Sequence, residues 1–177
     1  MHAMPSQHTT GRGLVIAAGF AAALFASHIH AQGAADFKSC IEKKGDEAIL
    51  ACTRVIDSKD AKMKLDQAHF NRAVEWTGQG KDDYAIMDYT KAIALNPQYR
   101  EAFNNRGNAY RRKNELDKAI ADYTEAIKLN PKRGLYYRNR GIALQDQREY
   151  VRSLADYNEA VKLLIMPVLV WLSLIHI

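Results

Sequence analysis

The sequence predicts an all-α protein built as an array of antiparallel helix hairpins. Residues 66–99, 100–133 and 134–167 align without a gap at a spacing of 34 residues, a period that marks stacked helical hairpins. Asn-Arg stands at repeat positions 6 and 7 every time, as Asn71-Arg72, Asn105-Arg106 and Asn139-Arg140. Asp-Tyr stands at positions 23 and 24, as Asp88-Tyr89, Asp122-Tyr123 and Asp156-Tyr157. Apolar and small residues recur at three- and four-residue steps, which is helical periodicity.

The first element along the chain is a leader, residues 1–31. Arg12 precedes a 13-residue uncharged run, Leu14 to Ala26, and Ile29-His30-Ala31 offers a small residue at a cut site. This layout predicts a secretory signal cleaved after Ala31, and hence a periplasmic or secreted protein. A retained membrane anchor is the competing reading, for which the run is short.

Residues 32–60 read as a degenerate hairpin. Gly45 marks its turn and Asp46 is the expected cap of its second helix. Cys40 lies five residues before Gly45 and Cys52 seven after it, so a closed hairpin brings them opposite each other. Two readings stand: a disulfide, which export to an oxidising compartment favours, or two buried thiols acting as small hydrophobes. Neither cysteine belongs to a CxxC pair, and no metal site is expected.

The three repeats occupy residues 61–164. In the middle one, Phe103, Gly107 and Tyr110 form the stripe of a first helix, and Leu116, Ala119, Ile120, Tyr123, Ala126 and Ile127 that of a second. Gly107 and Ala119 are small where two helices must approach closely, with Tyr123 filling the space beside them. Asn96-Pro97 and Asn130-Pro131 end their helices, because the residue before proline is pushed out of helical geometry. A single hairpin cannot bury its apolar face, so stacking completes the core.

Residues 165–177 form an apolar tail. Ile165 stands where the proline of the first two repeats would fall, and no charge follows it. Two readings remain: a hydrophobic anchor, for which Leu163 to Ile177 is short and broken by Pro167, or residues foreign to the gene, since LSLIHI looks like translated adapter sequence.

This pattern resembles the tetratricopeptide repeat family, which places a bulky residue at position 4, small at 8, aromatic at 11, Ala at 20, aromatic at 24, Ala at 27 and Pro at 32. The middle repeat matches throughout with Phe103, Gly107, Tyr110, Ala119, Tyr123, Ala126 and Pro131. The first supplies His69, Ala73, Trp76, Ala85, Tyr89, Ala92 and Pro97, and the third Tyr137, Gly141, Leu144, Ser153, Tyr157 and Ala160. The Cys-bearing lead-in also resembles, more weakly, segments ahead of repeats in exported bacterial proteins. The resemblance implies a right-handed superhelix of three repeats behind the degenerate hairpin. It also implies a protein-interaction scaffold with a peptide or protein segment in the concave groove.

Carried over by position, the groove comprises Phe70, Asn71 and Val74 from the first repeat. The second adds Asn104, Asn105, Asn108, Arg111 and Arg112, and the third Arg138, Asn139, Ile142 and Gln145. Asn71, Asn105 and Asn139 are expected to form a ladder, since amides both donate to and accept from a peptide backbone. The same amides would serve equally to tie neighbouring helices together. The family's clamp for a chaperone C-terminal carboxylate is not reproduced: Phe70, Val74, Leu135 and Asn139 occupy four of its five positions and only Asn105 matches.

Catalytic motifs of the GxSxG, HExxH, P-loop and GxGxxG types are absent. His2, His8, His28 and His30 lie in the leader and His176 in the tail, leaving only His69. The expectation is a non-enzyme without cofactor. The net charge of +5 comes from bases interleaved with acids, which speaks against nucleic-acid binding. Membrane association, as an assembly subunit held by an apolar terminus, is the alternative to the soluble scaffold. Position 7 is ordinarily apolar in the family, so Arg72, Arg106 and Arg140 are expected to pair with Asp88, Asp122 and Asp156, within a repeat or across to the next, with their stems covering apolar surface. A groove role for these arginines is the competing reading.

Overall fold

Each 34-residue unit becomes two helices. They are α3 (Leu65–Gly78) and α4 (Asp82–Leu95), then α5 (Arg100–Arg112) and α6 (Leu116–Leu129), then α7 (Gly134–Asp146) and α8 (Tyr150–Ile175). The lead-in supplies α1, residues 31–42, and α2 (Gly45–Ser58). A computed structural model of the chain describes residues 31–58 and 64–175, with side chains as far as residue 165. The leader, all but its last residue, and the side chains of the tail beyond residue 165 lie outside that range. All described elements are helices. From α2 onward each packs on the next, and the first helices of adjacent repeats also touch, α3 against α5 and α5 against α7.

The turns inside the repeats share one device. Position 15 is Gly80, Asn114 or Arg148, with φ of 71°, 60° and 65°. The left-handed residue lets the next amide reach back five residues, Lys81 to the Trp76 carbonyl at 2.9 Å and Glu149 to that of Leu144 at 2.8 Å. That bond closes the helix end. Between repeats, the Asn96 and Asn130 side chains accept the amides of Gln98 and Lys132 at 3.1 and 3.3 Å, which fixes the turn at each Asn-Pro. The third repeat lacks that pair, and α8 runs on to Ile175. Among the described residues no helix is long and apolar enough to cross a membrane.

Small residues and one tyrosine build each core. Ala73, Ala85, Tyr89 and Ala92 are buried in the first repeat, and Ala119, Tyr123 and Ala126 in the second. A Cβ on Gly107 would lie 2.8 Å from Cε1 of Tyr123, and one on Gly141 3.1 Å from Cε1 of Tyr157. In these two repeats glycine lets the ring lie directly against the first helix, whereas the first repeat has Ala73 at that position in the same core as Tyr89. Ser153, where the other repeats have Ala, donates to the Gly141 carbonyl at 2.8 Å, so its buried hydroxyl is satisfied.

In the lead-in hairpin, Cys40 and Cys52 are bonded with S–S 2.07 Å, and both are buried with Val55 and Ala68. The expectation for Asp46 is corrected. Helix α2 begins at Gly45 itself, whose left-handed φ of 61° turns its N–H toward α3, where Glu75 Oε2 accepts it at 2.7 Å. Asp46 lies one residue too far in to cap, and accepts from Gln79 instead. The cap comes from the next repeat.

Candidate functional site

The recurring arginine is a structural tie across three helices. Nε and one terminal nitrogen of Arg72 donate to Asp88 at 2.7 and 2.8 Å; Arg106 does the same to Asp122 at 2.8 and 2.7 Å, and Arg140 to Asp156 at 2.8 Å twice. The expected pairing holds in all three repeats, each pair within one hairpin. The remaining arm reaches back to the preceding hairpin: Arg72 to Thr53, Arg106 to Thr90 and Arg140 to Thr124. Each of these hydroxyls donates to the carbonyl four residues earlier, leaving its oxygen lone pair for the guanidinium. These arginines are thereby committed to the fold.

His69 adds a third donor in the first repeat alone, with Nδ1 at 2.8 Å from Asp88 Oδ1. Burial pushes the Asp88 carboxyl up, but the bonds and charges of His69 and Arg72 outweigh it and hold it below the usual range. At Asp122 burial prevails over Arg106 alone, and that carboxyl is pushed up. The position taken by His69 is Phe103 in the next repeat, against whose ring Arg106 lies at 5.7 Å.

What remains for binding lies on the first helices. A cavity of about 310 Å³ opens between α3, α5 and α7, lined by Phe70, Arg100, Glu101, Asn104, Asn105, Asn130, Arg133, Leu135 and Tyr136. Of the expected groove residues it gathers Phe70, Asn104 and Asn105. Arg138 borders a second cavity, and Gln145 a third beside Tyr157. The others serve neighbours. Asn108 accepts from the Tyr123 hydroxyl at 2.8 Å, Arg111 pairs with Asp146 at 3.2 Å, and Arg112 grips Asp82 of the preceding repeat. Val74 packs on the first-repeat core, while Asn71 and Ile142 are half-buried on their helices.

The amide ladder runs through a different residue than the pattern suggests. Asn139 Nδ2 donates to Asn104 Oδ1 at 2.8 Å, and Asn104 Nδ2 donates to Asn105 Oδ1 at 3.1 Å. Asn104 is 5% exposed; it joins α5 to α7, and it lines the cavity beside Asn105. Arg100, Glu101, Arg133 and Tyr136 went unrecognised in the sequence because they sit at positions 1, 2, 34 and 3, where helix starts and loops carry no periodic signal. Phe70 stacks on Tyr99 at a centroid distance of 4.7 Å, forming one apolar wall.

Two family models match the sequence, one described as the tetratricopeptide repeat over residues 101–133 and one as the TPR repeat over residues 77–112. No protein of curated function matches. Among solved structures, the fold is similar to a crystal structure of MamA, at 21% identity and TM-score 0.65, covering 70% of each chain. A second MamA structure gives 22% identity and TM-score 0.62, over 67% of this chain and 63% of that one. The first TPR of Spaghetti (RPAP3) bound to HSP90 peptide SRMEEVD gives 28% identity and TM-score 0.55, over 55% of this chain and 78% of that one.

Proposed function

The chain is a tetratricopeptide repeat protein, and on that premise we propose that it is a non-catalytic interaction scaffold docking a peptide or protein segment in its concave groove. The observation that carries this reading is the cavity between α3, α5 and α7. It offers an apolar wall at Phe70 and Leu135 and an amide at Asn105. Backbone groups of an extended segment need such an amide, and its side chains need such a wall. The similar TPR structure with a bound peptide supports the class of ligand. The clamp positions of this chain, Phe70, Val74, Leu135 and Asn139, argue for a different segment.

Selecting a random-peptide display library on the full chain tests the proposal. Selected peptides should bind with affinity lowered about tenfold or more by Asn105→Ala. Failure to enrich any peptide would overturn the reading, as would peptides insensitive to Asn105→Ala but lost with Met87→Lys, on the exposed surface of α4.

Export through a cleaved leader belongs to the same proposal. The buried Cys40–Cys52 bond supports it, since disulfides persist in oxidising compartments. N-terminal sequencing of the mature protein should begin at Gln32; a chain retaining Leu14 to Ala26 would overturn it.

A further inference from the structure

The cations around the groove divide into two groups. Arg100 is held by Glu101 at 2.9 Å, Arg111 by Asp146 and Arg112 by Asp82. Lys132, Arg133 and Arg138 have no carboxylate partner among the described residues. All three border a second cavity of about 350 Å³, whose apolar surface comes from Leu135, Leu163 and Leu164. Arg133 and Leu135 wall both this cavity and the amide-lined one. The two cavities therefore adjoin at these residues.

Three unpaired cations on an apolar depression select a ligand by chemistry. They repel a basic segment and gain from carboxylates, most at the arginines, whose planar fork binds both carboxylate oxygens. The leucines gain only if an apolar side chain accompanies those carboxylates. A phosphate backbone would leave them uncovered, and cations elsewhere on this face are already neutralised. We propose that the groove's partner is an acidic peptide segment bearing an apolar anchor. The anchor enters between Leu135 and Leu163, carboxylates meet Lys132, Arg133 and Arg138, and the adjoining backbone runs past Asn105. This rests on the groove reading above and names its ligand.

Fluorescence anisotropy on the full chain tests it, with four labelled probes: a twelve-residue Glu/Leu peptide, its Gln/Leu and Lys/Leu counterparts, and oligo-dT of the same length. Neutral display-selected peptides serve as the groove control. The Glu/Leu peptide should bind most tightly, with affinity falling about tenfold or more in the Arg133→Ala, Arg138→Ala double variant and again at high salt. Both arginines are exposed, so the variant should keep the fold. Equal binding of the Gln/Leu peptide, or no effect of the double variant, would overturn the acidic class while leaving the groove in place. Tighter binding of oligo-dT would reassign the cations to phosphate. If neither these peptides nor the display-selected ones bind, the groove reading falls too.

Discussion

Replacing Arg106 by methionine separates the charge of the recurring arginine from its bulk. The stem would still lie against Phe103 and Tyr110, whose rings are 5.7 and 5.9 Å from the guanidinium carbon. The donors to Asp122 at 2.8 and 2.7 Å and to Thr90 at 2.9 Å would be gone. The Asp122 side chain is only 7% exposed, so water cannot replace both donors; that of Arg106 is 15% exposed. Stripping a buried charge of its partner costs about 3–5 kcal/mol, and the partial exposure here places the loss near the lower end, about 3 kcal/mol. The loss should shrink toward acid pH, because burial already pushes the Asp122 carboxyl up and protonation relieves the orphaned charge. Adding Asp122→Asn should recover a large part of it, whereas Thr90→Val alone should cost about 0.5–1.5 kcal/mol. Urea denaturation followed by circular dichroism measures these differences. Hydrogen exchange should place the weakening in α5, α6 and their immediate neighbours, because stacked repeats touch only adjacent units. A loss below about 1 kcal/mol that adds simply to that of Asp122→Asn would refute the tie.

Four further outcomes are expected. Gly107→Ala puts a Cβ 2.8 Å from the Tyr123 ring; overpacking of about 1–3 kcal/mol should exceed the gain of about 1 kcal/mol in helix propensity, and a raised melting temperature would show that the ring yields freely. Arg148→Gly removes a side chain from a backbone at φ 65° and should stabilise by about 0.5–1 kcal/mol in thermal denaturation, whereas a destabilised variant would refute strain there. The Asp88 carboxyl, depressed in the fold, contributes stability that is present above its unfolded pKa and lost as pH falls through the folded value. Carboxyl NMR should find it titrating below Asp122, and His69→Phe should raise its pKa and move acid unfolding to higher pH; an unchanged Asp88 titration in that variant would remove His69 from the account. Breaking the Cys40–Cys52 bond, which closes a span of 12 residues, should cost about 3 kcal/mol, and native protein denatured without reductant should show no thiol to a labelling reagent.

The residues that make the repeat were legible in the chain. Position 8 must be small because a tyrosine ring lies on it, position 20 because two helices cross there, and Asn-Pro must end a helix. Each constraint is local to one hairpin and returns every 34 residues, so periodicity alone determined the helices, their pairing and the burial of Tyr89 and Tyr123. The Arg and Asp were readable as partners because both recur in every repeat, but their spacing left open whether a pair closes within a repeat or across to the next; the structure places each within one hairpin. What only the tertiary structure decided runs between repeats or through residues outside the period. The third arm of each arginine finds a threonine on the preceding hairpin, and Glu75 caps α2 from 30 residues away. Asn104, not Asn105, carries the amide link to α7. Arg100, Arg111 and Arg112 are paired because a neighbour supplied an acid, whereas Lys132, Arg133 and Arg138 met none among the described residues. Such contacts depend on how far one hairpin is rotated and shifted on the next. That is set by summed side-chain packing across the interface, and no single spacing in the chain records it.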